Sequence, residues 1–201
     1  MSDDTTRTGM VRWRRFAALM VPASVGAAAL IGLTANGSIA SSFAVSGQSF
    51  KVSATQLRGT GFAQYGQVDA GKNGAMHPVA LSVVGHAKLR NLCQSVLVDS
   101  PMGKLTLLVK AGGGGTPASA DNMVVDASQL SGNATFKNIE IGRDAGTIDT
   151  VQKQGPSGGF AQQADNVTIN DLKQTAWAVN AGTFRLHGLH MTIKPGRHEC
   201  F

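Results

Sequence analysis

The feature that most constrains this chain is a recurring frame in which the alternation of apolar residues slips by one position. In Ala134 to Gly142, ATFKNIEIG, Ala134 and Phe136 alternate as a strand should, and after Lys137-Asn138 the apolar residues resume at Ile139 and Ile141, out of phase. The same frame is read at Val52/Ala54/Leu57, Ala87/Leu89/Leu92, Val125/Ala127/Leu130, Val167/Ile169/Leu172 and Phe184/Leu186/Leu189. A period of two keeps a strand's apolar residues on one face, and one extra residue moves all that follow to the other face unless the chain bends or bulges there. Asn91, Asn138, Asn170 and Gly188 lie in the inserted pairs, and Asn and Gly are the residues that take a positive φ at least cost. The frame therefore predicts strands that bend or bulge at their polar pairs.

Composition agrees with strands. Glycine is abundant, at 25 of 201 residues, the chain is rich in Ser, Thr, Asn and Val, and long charged helix-formers are few, a balance that favours strands and turns over helices. The fold class expected is all-β, preceded by one N-terminal hydrophobic helix. Two architectures fit the frame: a β-solenoid-like coil with insertions, and a bulged antiparallel β-sandwich. MVVDASQL echoes FKVSATQL, but the frame copies are raggedly spaced and match no standard repeat. One domain is expected over residues 41–201, since a chain of that length buries a substantial core.

The first forty residues read as an export segment. Arg12, Arg14 and Arg15 lead into Phe16 to Leu33, a run without charge, followed by Ser38-Ile39-Ala40. These are the three parts of a secretory signal peptide with a small-x-small cleavage site, and cleavage after Ala40 is the first expectation. The other is an uncleaved membrane anchor through residues 16–33, with the Arg cluster held inside. Either way the domain is expected outside the cytoplasm, as an extracellular protein or on the outer face of the cytoplasmic membrane.

Charge argues against nucleic acid as a partner. The chain carries 18 Lys+Arg against 12 Asp+Glu, and setting aside Arg7, Arg12, Arg14, Arg15, Asp3 and Asp4 leaves 14 against 10. These basic residues are scattered singly and aromatics are 5% of the chain, so neither a phosphate-tracking stripe nor a stacking platform is visible. The run Gly112 to Gly115 precedes Thr116-Pro117 and then SADNMVVDA, which lacks the lysine and helix of a nucleotide cradle. No cofactor is expected.

The runs FAVSGQSFKVSA, NLCQS, ASQLSGNATFKNIEIG, FAQQADNVTI and AGTFRLHGLHM, with the terminal Glu199-Cys200-Phe201, resemble small exported actinobacterial proteins of an uncharacterised family. Many of these are labelled cholesterol esterase. The resemblance covers nearly the whole chain from Arg12 onward, and it implies an exported protein associated with sterol or lipid esters. It carries no catalytic motif onto particular residues.

Chemistry-bearing residues are few. Cys93 and Cys200 are the two cysteines, and in an exported chain an isolated pair is expected to form one disulfide. If the esterase label holds, Gly155-Pro156-Ser157-Gly158-Gly159 satisfies G-x-S-x-G, and Asp165 or Asp171 and then His187, His190 or His198 follow in triad order. A nucleophile elbow needs a hydrophobic strand before the serine and a helix after it, whereas VQKQ precedes and FAQQADN follows. Ser157 is thus a weak catalytic candidate. His187, His190, His198 and Glu199 do not share the spacing of ligands on one strand face, so no metal site is expected. The residues lean away from an enzyme. They favour an envelope protein that associates with lipid, sterol or another hydrophobic ligand; a secreted sterol ester hydrolase and a structural surface protein are the alternatives.

Overall fold

A computed structural model describes residues 48–71 and 74–201 of the chain. The expected signal or anchor, with its hydrophobic helix, lies outside the described residues. The described residues form nine strands in order: β1 (Phe50–Ala70), β2 (Met76–Arg90), β3 (Leu92–Ser100), β4 (Gly103–Ala111), β5 (Ala118–Lys137), β6 (Glu140–Asp144), β7 (Phe160–Asn180), β8 (Thr183–Arg185) and β9 (His190–Pro195). One turn of 3-10 helix, Ala145–Thr147, lies between β6 and β7. The described chain is all-β, as the frame and composition imply.

Every pairing is antiparallel. A solenoid stacks successive coils in parallel, so the antiparallel, bulged alternative is the one the chain adopts, although not as two separate sheets. β1 pairs with β2, β2 with β5, β5 with β7, and β7 with β1, which closes a ring. The ring is steeply staggered. Phe62 lies opposite Val84, Val84 opposite Met123 and Val124 opposite Asn180, yet Ala176, a few residues earlier in β7, already pairs with Phe50 at the start of β1. Closure removes most of the strand edges that an open sheet leaves free.

The frame copies explain how such long strands curve. Thr55-Gln56, Arg90-Asn91 and Asn170-Asp171 are not independent defects: Gln56 pairs with both Arg90 and Asn170, so the three slips line up across adjacent strands. The sheet bends along that line without losing register. Asn91 and Asp171 take φ of 51° and 55° there, and Asn91 Nδ2 donates to Thr55 Oγ1 across the bend at 3.1 Å. The positive φ falls on Asp171, one residue beyond the Asn170 that the sequence singles out. A second line passes through Gly61 (φ 65°) and Asn138 (φ 55°), where Asn138 Nδ2 donates to Asp165 Oδ2 at 2.6 Å. The register between β5 and β7 shifts at Asp126/Ala127, Ala127/Gln129 and Ser131/Asn133. The echoing segments in β1 and β5 flank β7, with Lys51 and Gln129 both opposite Thr175.

Because the bends restore the phase, residues such as Val52, Leu57, Phe62, Val84, Leu89, Met123, Val167, Ile169 and Leu172 all point inside the ring and form the main core. A second core lies on the outer side of β1 and β2, where Ala63, Tyr65, Leu81, Val83 and Ala161 are covered by Ala145 and Ile148 of the connection into β7. The C-terminal tail covers one side of β3 and β4. Thr106, fully buried, donates from its Oγ1 to the Gly196 carbonyl at 2.7 Å and accepts from the His198 amide at 3.0 Å. Ser95 Oγ accepts from the Cys200 amide at 3.0 Å. Two buried hydroxyls inside an apolar run are thus matched by the tail's backbone groups, as burial requires.

Candidate functional site

The sequence candidates do not converge. Cys93 and Cys200 are joined in a disulfide with their Cα atoms 5.9 Å apart, which ties the tail to β3. Ser157 is exposed in a turn between the 3-10 helix and β7. That turn is fixed by Asp144, whose carboxylate accepts from the Gly146 and Gly158 amides at 2.8 and 2.9 Å. Gly155 lies so close to Tyr65 that an added Cβ would stand 2.9 Å from the ring and 2.7 Å from Ala145 Cβ. The GPSGG composition therefore has a packing role, pressing a loop onto Tyr65 and Ala145. The preceding strand and following helix of a nucleophile elbow are both missing among the described residues.

No hydrogen bond joins Ser157 to any of the triad candidates among the described residues. Asp165 holds Asn138, and Asp171 Oδ2 accepts from Asn133 at 3.4 Å. His198 contacts the Pro195 carbonyl, His190 lies in β9 opposite Lys110, and the His187 carbonyl accepts from the Gly112 amide. Glu199 pairs with Lys51 and Arg197. The one His–Asp contact among the described residues is His86 Nδ1 to Asp121 Oδ1 at 2.6 Å on the outside of the β2–β5 pair, with Arg185 on the second oxygen at 3.0 Å. The hydrogen bonds from His86 and then Arg185 hold the Asp121 carboxyl below its ordinary range. No hydroxyl nucleophile bonds to this dyad among the described residues.

What the fold does assemble is apolar surface. The interior of the ring is lined by Val52, Leu57, Phe62, Val84, Leu89 and their neighbours, with Ser82, Gln94 and Gln174 as the polar groups. Its free volume is about 40 Å³, space for water but well short of the several hundred Å³ of a drug-sized ligand pocket. Gln94 also begins a face of the β3–β4–β9 sheet. Register places Gln94–Val109–Met191, Val96–Leu107–Ile193 and Val98–Leu105–Pro195 in three rows on that face, while the tail covers the other. Val98, Met191 and Ile193 are 38%, 58% and 68% exposed. Of the eight apolar residues in the three rows, only Val109 is buried.

Sequence reasoning missed a buried pair of carboxylates. Asp69 in β1 and Asp126 in β5 are each 9% exposed, and Asp69 Oδ2 and Asp126 Oδ1 have no hydrogen-bond partner. Gln67 Nε2 donates to the other oxygen of Asp69 at 2.8 Å. Burial first, and then the Asp69 charge, push the Asp126 carboxyl up to about 6, with Lys153 opposing. Tyr65 next to them is pushed up to about 12, chiefly by burial and also by Asp126, and its hydroxyl donates to the Gln154 carbonyl at 3.2 Å. No reacting group stands beside the pair among the described residues. A signal existed in the sequence at Asp126, which interrupts the apolar run MVVDA, but not at Asp69, which lies in GQVDAGK.

Taken together, these features define a disulfide-braced, closed antiparallel β protein with a tightly filled apolar interior, one exposed apolar sheet face and no assembled catalytic group among the described residues. The chain belongs to DUF6230, a family of unknown function, which it matches over residues 46–201. No curated protein and no solved structure matches it.

Proposed function

We propose that this is an exported cell-envelope protein that associates with lipid, sterol or another hydrophobic ligand and does so through surface contact. The observation that carries the reading is the apolar grid of β3, β4 and β9, because a contiguous exposed patch of this kind marks an interaction site more often than it marks chance. The small interior volume directs the ligand to that face. The disulfide supports an oxidising location, and residues 16–33 supply a route to the membrane or across it. Sterol ester hydrolysis, the alternative, rests on the resemblance alone, since Ser157 stands in an exposed turn without a bonded histidine.

Hydrogen exchange of the full chain tests this reading. In lipid-containing discs, amides of residues 190–194 are expected to exchange several-fold more slowly than in lipid-free micelles of a short-chain detergent. Met191→Asp with Ile193→Asp should remove that protection and leave β1 unchanged. Equal exchange of β9 with and without lipid would sink the reading.

A further inference from the structure

Beside the first bend line, β1 and β2 bury Leu57, Gly59, Ala87 and Leu89, while Arg58, Lys88 and Arg90 are exposed on the outer side. Arg58 lies directly opposite Lys88, and Gln56 opposite Arg90. Like charges directly opposed on a sheet destabilise it. Among the described residues none of the three cations has a carboxylate at ion-pair distance, although seven other ion pairs form. Together with Gln56 and Pro117 they line a groove of about 270 Å³.

The walls of the groove are built on rigid parts. Gln56 Nε2 donates to Asn170 Oδ1 at 2.8 Å, which fixes its amide. Pro117 is delivered by the glycine run: a Cβ at Gly112 would stand 2.6 Å from the Leu89 carbonyl, and its φ is +72°, so only glycine brings the loop this close to the end of β2. The run that fails as a nucleotide cradle thus borders a cationic groove.

We propose that this groove binds a phosphate monoester or diester. Two guanidinium groups and an ammonium on adjacent strands offer forked and point-charge donors to phosphoryl oxygens, and such an anion relieves the repulsion between Arg58 and Lys88. The anion can be free, as in a soluble phosphodiester, or the headgroup of a lipid. This site is separate from the apolar face of β3, β4 and β9 and stands or falls independently of it.

The test uses the full chain in zwitterionic micelles at constant ionic strength, read by the arginine Nε–Hε resonances and by thermal unfolding. Inorganic phosphate or glycerophosphoglycerol should shift the Arg58 and Arg90 resonances saturably, and chloride should not. Arg58→Gln with Lys88→Gln should weaken the response at least tenfold. Because the repulsion is gone, the same variant should melt higher than wild type without added anion, which also shows that it folds. A response to soluble phosphates supports a free anion; a response only after doping with phosphatidylglycerol supports a headgroup. No response in either arm, or an undiminished response in the variant, overturns the proposal.

Discussion

Replacing Asp126 with Asn should stabilise the protein at neutral pH, and the gain should vanish in acid. Asp126 is 9% exposed with Oδ1 unpartnered, and its carboxyl is pushed from 3.8 to about 6 by burial and by Asp69. An unfolded aspartate ionises near pH 4. Between about pH 4 and 6 the folded chain therefore keeps a proton that the unfolded chain has lost, and folding stability falls as pH rises through that window. The contribution is fully present below about pH 4 and is lost above about pH 6; a displacement of this size corresponds to about 2 to 3 kcal/mol. Asn removes the charge at every pH. Urea unfolding of the oxidised chain and of Asp126→Asn, from pH 4 to pH 7.5, should show a difference that starts near zero and grows to that magnitude in favour of the variant. A difference that is flat with pH, or that favours wild type at pH 7.5, would refute the reasoning.

Reducing the Cys93–Cys200 bridge, which spans 107 residues, should cost on the order of 4 to 5 kcal/mol by the chain-entropy argument, read as a fall in the urea midpoint with reductant. Gly59→Ala should destabilise by about 1 to 3 kcal/mol, because the new Cβ would stand 2.5 Å from Val84 Cγ1; Val84→Ala in the same chain should recover part of the loss, and a simple sum of the two effects would contradict the overlap. Thr106→Val strands the Gly196 carbonyl and the His198 amide and should cost about 1 to 3 kcal/mol, with faster reduction of the disulfide as the sensitive readout. Ser157→Ala should leave any measured ester cleavage unchanged, and a loss of several orders of magnitude in a folded variant would make the GPSGG turn an active site.

The bends were legible because a phase slip must be absorbed where it occurs, and Asn91 and Asn138 each take the left-handed conformation that the polar pair invites. Asn170 was the wrong member of its pair. Its side chain accepts from Gln56, while Asp171, whose short side chain also tolerates that conformation, takes the turn. Closure of the ring was not legible, because alternation states which face is apolar and not which strand lies beside it: β5 uses Ala118 to Ala127 against β2 and Val124 to Lys137 against β7. The acid pair was hidden for a related reason. Val125 and Ala127 face the main core whereas Asp126 faces the opposite side with Val124, and an apolar run records no such division. The disulfide was readable by elimination, since two cysteines leave one pairing.

Lipid association is tested most directly by recovering the chain from the envelope fraction, extracting it with organic solvent and identifying the extract by mass spectrometry, with Met191→Asp/Ile193→Asp protein in parallel. A lipid or sterol enriched with wild type in near-stoichiometric amount, and depleted with the folded double mutant, is the result expected if the face of β3, β4 and β9 carries the ligand. Equal lipid yields from wild type and double mutant would contradict it.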